Sequence, residues 1–415
     1  MLNIAVLGYG VVGSGVVEVL DKNAAAIEKR AGEAIKVKKI LDIRDFDDSP
    51  YKELFTKDFN DILEDESIKI VVETIGVLKV SYEYTKKALE SGRHVVTSNK
   101  ELVATYGPEL LKIAAEKKVH YLFEASVGGG IPIIRPLTQC LAANEIEGIV
   151  GILNGTTNYI LTQMKREGKD FNDALREAQQ KGYAEANPTA DIEGHDTCRK
   201  IAILSSIAFD RFVDYKEVST EGITNISLID MEYADALGCT IKLAASSKCI
   251  DGKIFARVSP VLIKKSNPLA NVEDVFNAIV VKGNAAGDVM FQGRGAGKLP
   301  TASAVVSDVI DIVAQSGYRT RYLWEREQKS SVANIAESNS RLFIRAEVQE
   351  AEEAKKAVND IFGNVQYVSL NKSSLNNEIA FSTEQDKEKN LMHKVDVLKD
   401  SGKIKGIKNI IRFEE

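Results

Sequence analysis

Residues 2–20 read LNIAVLGYGVVGSGVVEVL, and within them Gly8, Gly10 and Gly13 stand at the spacing G-x-G-x-x-G. An apolar run from Asn3 to Leu7 precedes the glycines, and Val16 to Ile27 continues with helical spacing. The order is strand, glycine turn, helix. Each glycine answers a separate need: Gly8 permits the tight turn, Gly10 lets main-chain amides approach a pyrophosphate, and Gly13 lets helix and strand pack closely. The helix N-terminus then faces the diphosphate. A lone G-x-G-x-x-G can be a surface loop. Here it directly follows a strand and opens an apolar helix, so it reads as a dinucleotide fingerprint.

The next strand, Ile35 to Ile43, carries Asp42 and is followed by Arg44. An acid there accepts hydrogen bonds from a ribose 2′-hydroxyl, whereas an arginine pairs with the 2′-phosphate of NADP. The two cues conflict, and the reading leans towards NADP. Asp42 also lies farther from the glycines than the usual spacing of about 20 residues, which predicts a long first helix. Strands Ile68 to Ile75, ending in ETIG, and Arg93 to Thr97, followed by SNK, alternate with helical stretches such as Tyr82 to Leu89, giving a parallel sheet. Ligands of such sheets gather beyond the strands' carboxyl ends. Thr74, Gly76, Ser98, Asn99 and Lys100 belong there, although Lys100 can equally be a solvated loop lysine.

The whole chain has 415 residues, 54 Lys+Arg against 60 Asp+Glu, and a net charge of −6. At roughly 100–200 residues per domain this predicts two to four domains. Mild acidity without basic patches argues against nucleic acid and against an anionic membrane surface. Small-molecule ligands are the default. Cys140, Cys198, Cys239 and Cys249 include no CxxC pair and fit a reducing cytoplasm. Leu2 to Leu20 lacks a basic start, and its glycines and Glu18 interrupt the apolar run, so it reads as fold rather than as a targeting or membrane segment.

After a strand at Val119 to Glu124 comes ASVGGGIPII, either a hinge or a loop whose carbonyls bind a cation or substrate. The strand Glu145 to Leu153 runs into NGTTNYIL, where Asn154, Gly155, Thr156 and Thr157 form either a polar-ligand cradle or a plain N-cap turn. The richest stretch is Gly182 to Leu204, GYAEANPTADIEGHDTCRKIAIL, with Glu185, Asp191, Glu193, Asp196, Arg199 and Lys200. Asp196 and Lys200 are four residues apart, so on a helix they share one face with the acid N-terminal. A surface pair of this kind is worth about 0.3–0.5 kcal/mol. The apolar run Ile201 to Leu204 suggests instead that the charged turn enters a core. His195 is read as a packed or solvated side chain, because none of the four histidines is spaced as a metal ligand.

LGYGVVGSG, ETIG, TSNK, EASVGGGIPII, NGTTNYIL, GYAEANPTADIEGHDTCRK and GRGAGKLPTASAVVSDVIDI resemble homoserine dehydrogenases in order and spacing across about the first 320 residues. The resemblance implies NAD(P)-dependent interconversion of L-homoserine and L-aspartate 4-semialdehyde in threonine, methionine and isoleucine biosynthesis. By position it makes Lys200 the proton donor to the aldehyde oxygen, with Asp196 and Asp191 around it. Lys100 becomes a second lysine serving substrate and nicotinamide. Glu185 becomes the carboxylate that binds the substrate ammonium, beside Gly155 and Thr156. Cofactor contacts fall on Gly8, Tyr9, Gly10, Val11, Val12, Gly13, Arg44, Thr74, Gly76, Lys100 and Gly297. The main-chain carbonyls of Glu124, Val127, Gly129 and Ile131 match a site for Na+ or K+. The chain departs from the pattern at VLKVS after ETIG and at Arg294, which bears on cofactor preference. A lysine of reference pKa about 10.4 is an acid at neutral pH, so homoserine oxidation, which needs it as a base, should gain from high pH.

Pro300 opens a helix that the resemblance returns to the nucleotide domain. Beyond the polar stretch Glu325 to Ser340, apolar periodicity gives the order βαββαβ over residues 341–415, a ferredoxin-like unit resembling the amino-acid-binding ACT domain. VQEAEEA replaces the glycine of that family's first strand-to-helix loop, so threonine binding and simple oligomerisation both stand. The expected architecture is α/β: a Rossmann-type domain (1–130 plus 295–320), an α+β catalytic and dimerisation domain (131–294), a linker (321–340) and the ACT-like domain (341–415), in a homodimer or homotetramer. Two other functions fit the first ninety residues: a nucleotide-sensing regulator, and a related dehydrogenase acting on an amine. The register of Glu185, Asp191, Asp196 and Lys200 disfavours the regulator.

Overall fold

The computed structural model describes residues 1–315, 317–318, 324, 330–370 and 377–414. The rest of the expected linker, 321–323 and 325–329, lies outside them. The chain forms two compact units, one of Met1–Ile149, Arg199–Glu217 and Ile279–Ser331, the other of Val150–Cys198, Val218–Ala278 and Val332–Glu415.

The first unit begins with β1 (Leu2–Leu7), α1 (Val11–Lys22), α2 (Ala24–Ala31), β2 (Ile35–Leu41), β3 (Phe55–Thr56), α3 (Asn60–Leu63), β4 (Ile68–Glu73), α4 (Leu78–Glu90), β5 (His94–Thr97), α5 (Lys100–Lys117) and β6 (Tyr121–Leu122). The strands form one parallel sheet in the order β3-β2-β1-β4-β5-β6. Helices cover both faces of such a sheet, so its strands read as unbroken apolar runs; Ile4 to Leu7 and Ile70 to Val72 are wholly buried. Instead of one long first helix there are two. Asn23 leaves helical geometry between them (φ −109°, ψ 16°), and α2 takes up the residues that delay Asp42.

The chain continues through β7 (Ile146–Ile152), α6 (Gly155–Glu167), α7 (Phe171–Gln180), α8 (Thr189–Ile192), α9 (His195–Ala208), β8 (Ser219–Thr220), α10 (Leu228–Ala236), β9 (Cys239–Ile250), β10 (Lys253–Lys264), β11 (Phe276–Gly283), β12 (Gly287–Arg294) and α11 (Lys298–Ala314). In the first unit, α11 packs so closely on α1 that a Cβ on Gly15 would lie 2.9 Å from the Lys298 carbonyl and 3.1 Å from Ala302 Cβ. The nucleotide fold therefore includes residues far along the chain. Pro300 sits in the first turn of α11, two residues after its start.

The tail comprises β13 (Asn339–Ser340), β14 (Leu342–Val348), α12 (Ala351–Phe362), β15 (Gln366–Val368), β16 (Glu378–Ser382), β17 (Asp386–Lys387), α13 (Glu388–Asp400) and β18 (Ile404–Glu414). Its four main strands and two helices follow the order βαββαβ, with the strands side by side as β18-β14-β16-β15 over a core that includes Ile344, Val358, Phe381 and Val395. The tail falls within the second unit, together with Val150–Cys198 and Val218–Ala278. Its edge strand β18 pairs in parallel with β10, and both belong to the second unit. The Glu388 carboxylate, 5% exposed, bonds Arg257 of β10, Arg412 of β18 at 2.8 Å and the Ser340 hydroxyl at 2.8 Å. Taking away one partner of so buried a network leaves uncompensated charge and costs about 3–5 kcal/mol, so the tail cannot be cut away cleanly.

Candidate functional site

The carboxyl ends of β1, β2, β4 and β5 carry the groups of the first unit. Gly10 caps α1, and nothing lies within 4 Å of where its Cβ would be, which leaves the helix N-terminus open to a ligand. A Cβ on Gly13 would lie only 1.8 Å from the Gly8 carbonyl oxygen. Thr74 ties down the same turn, its hydroxyl donating to the carbonyls of Leu7 and Gly8 at 2.9 Å each. Val11 is exposed and Val12 half-buried at the start of α1; Gly76 follows β4, and Gly297 caps α11.

At the end of β2 the conflict between Asp42 and Arg44 takes a definite form. One Asp42 oxygen accepts from the Tyr9 amide at 2.7 Å, and Arg44 grips both oxygens through Nε at 3.0 Å and Nη2 at 2.9 Å. The Arg44 hydrogen bonds outweigh burial and hold the Asp42 carboxyl down at about 2. Asp42 is thus already spent on the protein, while Arg44 remains 57% exposed over the Phe46 ring.

Behind the nucleotide turn lies a residue with no clear sequence signal. Glu73 is wholly buried and accepts from the Ile75 amide (2.8 Å), the Ser81 hydroxyl (2.7 Å) and the Thr97 hydroxyl (2.6 Å), binding the ETIG and TSNK segments together. An acid ending an apolar strand looks solvent-facing in sequence. Asn99 caps α5 by accepting from the amides of Glu101 and Leu102, which sets half-buried Lys100 as the first residue of that helix. Glu101 in turn pairs with Arg199 of α9 at 3.2 Å, within the same unit. The neighbours in sequence of the two candidate lysines are thereby joined.

The division between the units cuts α9 between Cys198 and Arg199. Lys200 is 8% exposed and Asp196 7%, with Ile201 to Leu204 buried beside them, so the surface-pair reading does not apply. In the second unit the organising group is Asn154, 6% exposed. Its amide nitrogen donates to Asp191 at 2.7 Å and Asp196 at 3.0 Å, while its oxygen accepts from the Thr157 amide at 2.9 Å and so caps α6. The N-cap reading of NGTT holds, and the same Asn154 side chain also binds two carboxylates. Thr156 donates to the Tyr183 carbonyl at 2.6 Å, tying α6 to the segment that carries Glu185. Glu185 is exposed, as is His195. Beside Gly155, buried Asn277 has a side-chain oxygen with no hydrogen-bond partner among the described residues; a Cβ on Gly155 would stand 3.6 Å from it. A buried polar atom left over in this way marks a place for a polar ligand or a water.

The triple-glycine loop is pinned rather than hinged. The Gly130 amide donates to the Arg294 carbonyl at 3.1 Å; Gly129 has φ +56°, and a Cβ on it would lie 2.2 Å from the Gly295 carbonyl. The Glu124 carboxylate is spent on the amides of Ile133, Ile134 and Arg135 at 2.6–2.8 Å. The Glu124 amide donates to Asp308, whose carboxyl is pushed up by burial and by Glu124, against the opposing pull of Arg135. Val127 and Ile131 are buried, and no hydrogen bond among the described residues ends on the carbonyls of Val127, Gly129 or Ile131. Unspent buried carbonyls suit a hard monovalent cation.

With an open dinucleotide turn in one unit and a buried lysine one helical turn beyond a tethered aspartate, the chain falls among the nicotinamide-dependent oxidoreductases. Residues 8–124 match the family model for the homoserine dehydrogenase NAD-binding domain, and residues 132–310 that for homoserine dehydrogenase itself. A homoserine dehydrogenase of Synechocystis is 47% identical over 75% of this chain and 73% of its own length. The crystal structure of one from Thiobacillus denitrificans superposes with a TM-score of 0.90 at 34% identity, covering 100% of this chain and 98% of that one. A hyperthermophilic archaeal homoserine dehydrogenase in complex with NADPH gives a TM-score of 0.65 at 30% identity, over 77% of this chain and 99% of that one. The chain belongs to the homoserine dehydrogenase family. It is an oxidoreductase that interconverts L-homoserine and L-aspartate 4-semialdehyde with a nicotinamide cofactor, a step towards threonine, methionine and isoleucine. Among the described residues no helix is long and apolar enough to cross a membrane.

Proposed function

We propose that Lys200 is the catalytic acid and base of this reaction, that Asp191 and Asp196 set the electrostatics around it, and that Glu185, Gly155 and Thr156 bind the substrate. The observation that carries this reading is the burial of Lys200 one turn beyond Asp196, whose carboxylate Asn154 already holds. The nicotinamide supplies or accepts the hydride. In the reducing direction, as hydride reaches the aldehyde carbon, the Lys200 ammonium stabilises the oxygen that gains charge and gives it a proton, leaving a neutral amine and a hydroxyl. In the oxidising direction the amine takes the hydroxyl proton back. Glu185, on the exposed segment tied to Thr156, receives the substrate's ammonium, and Lys100 at the start of α5 serves the substrate's other end and the nicotinamide. The unspent oxygen of Asn277 gives the α6 turn a further polar acceptor.

Tyr9, Val11, Val12, Thr74, Gly76 and Gly297 line the cofactor's path, with Gly8, Gly10 and Gly13 shaping the turn. NADP(H) is favoured over NAD(H), because Asp42 is engaged by Arg44 and Tyr9 and because Arg44 stays exposed at the place of a 2′-phosphate. Losing a charge-assisted hydrogen bond of about 1.5–3 kcal/mol corresponds to roughly 10–100-fold. Arg44→Ala is therefore expected to raise the KM for NADP by that factor and to leave the KM for NAD within about threefold. Equal changes for both cofactors in steady-state assays would remove Arg44 from the 2′-phosphate. The carbonyls of Glu124, Val127, Gly129 and Ile131 would hold Na+ or K+, stiffening the loop at the end of the nucleotide fold.

The βαββαβ tail resembles an ACT domain, and threonine is its proposed ligand. Calorimetric titration of the full chain with threonine is expected to give a saturable heat; no heat would leave the tail a structural and assembly element. The full chain is required, since cutting near Ser340 strips β10 of β18 and Arg257 of Glu388. A homodimer or homotetramer in the cytoplasm fits a soluble biosynthetic enzyme with this composition.

A further inference from the structure

Lys242, the fourth residue of β9, is a buried titratable group that the reaction scheme leaves unused. It is 3% exposed, and among the described residues no carboxylate lies within ion-pair distance of it. Its ammonium donates instead to two neutral oxygens, Asn158 Oδ1 at 3.0 Å and the Val272 carbonyl at 2.5 Å. Asn158, 1% exposed, lies one turn beyond Asn154 on α6, and its amide nitrogen faces the carbonyls of Val272, Asp274 and Phe276 at 3.0–3.1 Å. The ammonium has donors only, and three carbonyls face the amide nitrogen, so together they fix which way round that amide sits: the reversed amide would set its oxygen against the three carbonyls and its NH2 against the ammonium. The Asn158 main-chain N–H donates to the Asn154 carbonyl at 3.3 Å, and the Asn154 side chain holds Asp191 and Asp196. Every group in this relay belongs to the second unit.

We infer that Lys242 is a positioning residue for the reaction: by orienting the Asn158 amide it clamps the first turn of α6 to the 272–276 loop, and through Asn154 it holds the Asp191 and Asp196 carboxylates in place. The inference rests on the reading of those carboxylates as the groups around the reacting centre.

A titration identifies Lys242 independently. Burial first, then Lys165 and Arg166 of α6, pull its pKa down to about 7, against the attraction of Asp274. A neutral amine still has two N–H groups, enough for both acceptors, so the relay survives deprotonation. Unfolded, the group titrates near about 10.4. Between the two values the unfolded chain binds more protons, so this group's contribution makes stability rise with pH from about 7 to 10 and levels off below about 7, where both states are protonated. Lys242→Met should flatten that rise.

The test is steady-state kinetics on the full-length enzyme with Lys242→Met, Asn158→Ala and Asp196→Asn, singly and in pairs, together with NADPH affinity by fluorescence and thermal midpoints from pH 7 to 10. Lys242→Met is expected to lower kcat about 10- to 100-fold, with the homoserine KM within about threefold and NADPH affinity unchanged. Lys242→Met and Asn158→Ala together should be no worse than either alone, and Lys242→Met should add little to Asp196→Asn. Should Lys242→Met not fold, the cycle of Asn158→Ala with Asp196→Asn carries the same comparison. A wild-type kcat in Lys242→Met, or losses that multiply in full with Asp196→Asn, would overturn the inference. A fully active Asp196→Asn would instead overturn the assignment of the carboxylates on which it rests.

Discussion

Lys200→Ala is expected to lower kcat by about a thousandfold or more in both directions while leaving NADPH affinity unchanged. Removing the ammonium takes away a general acid, typically worth about 10²- to 10⁴-fold, and a donor to the developing alkoxide, worth about 10²- to 10³-fold; because one group does both, the two do not multiply in full. The cofactor turn lies in β1, α1 and β4, apart in sequence from α9 and built on its own hydrogen bonds. Turnover followed by nicotinamide absorbance and binding followed by nicotinamide fluorescence separate the two effects. Activity above about a tenth of wild type would assign the proton to another group.

Gly13→Ala is expected to produce the opposite pattern, weakening cofactor binding by about a hundredfold or more and lowering the thermal midpoint. The new methyl would stand 1.8 Å from the Gly8 carbonyl oxygen and 2.8 Å from the Thr74 hydroxyl. The first neighbour is main chain and cannot rotate away, so α1 must move off the turn that presents its N-terminus. Overpacking alone costs about 1–3 kcal/mol, and displacement of the helix end also removes the amides that face the pyrophosphate. Wild-type affinity in Gly13→Ala would mean that the turn does not carry the diphosphate.

The nucleotide fold was legible wherever a local signal was strong. Apolar strands ending in glycine or small polar residues place β1, β4 and β5, and the glycine spacing places α1. β3 has two residues, too few to show a period, and the break at Asn23 hides inside a continuous helical pattern. The charged turn of α9 announced its burial through Ile201 to Leu204, because four successive apolar residues go round the full circumference of a helix and mark one packed on all sides. Glu73 and Lys242 gave little warning of their roles: each acts through partners distant in sequence or in main-chain turns, and an isolated polar residue in an apolar strand looks like one that faces water. The tail shows the same limit. Its βαββαβ pattern follows from period and turn signals, whereas the pairing of β18 with β10 joins residues about 150 apart and leaves no mark in either strand.

The central claim, that the Lys200 ammonium serves the oxygen being reduced, is tested most directly by a crystal structure of the enzyme with homoserine and oxidised cofactor bound together. The account predicts Lys200 Nζ within hydrogen-bond distance, about 2.7–3.2 Å, of the homoserine hydroxyl, with Asp191 or Asp196 near the same ammonium. A hydroxyl bonded instead to another side chain, with Lys200 turned into the packing of α9, would contradict it.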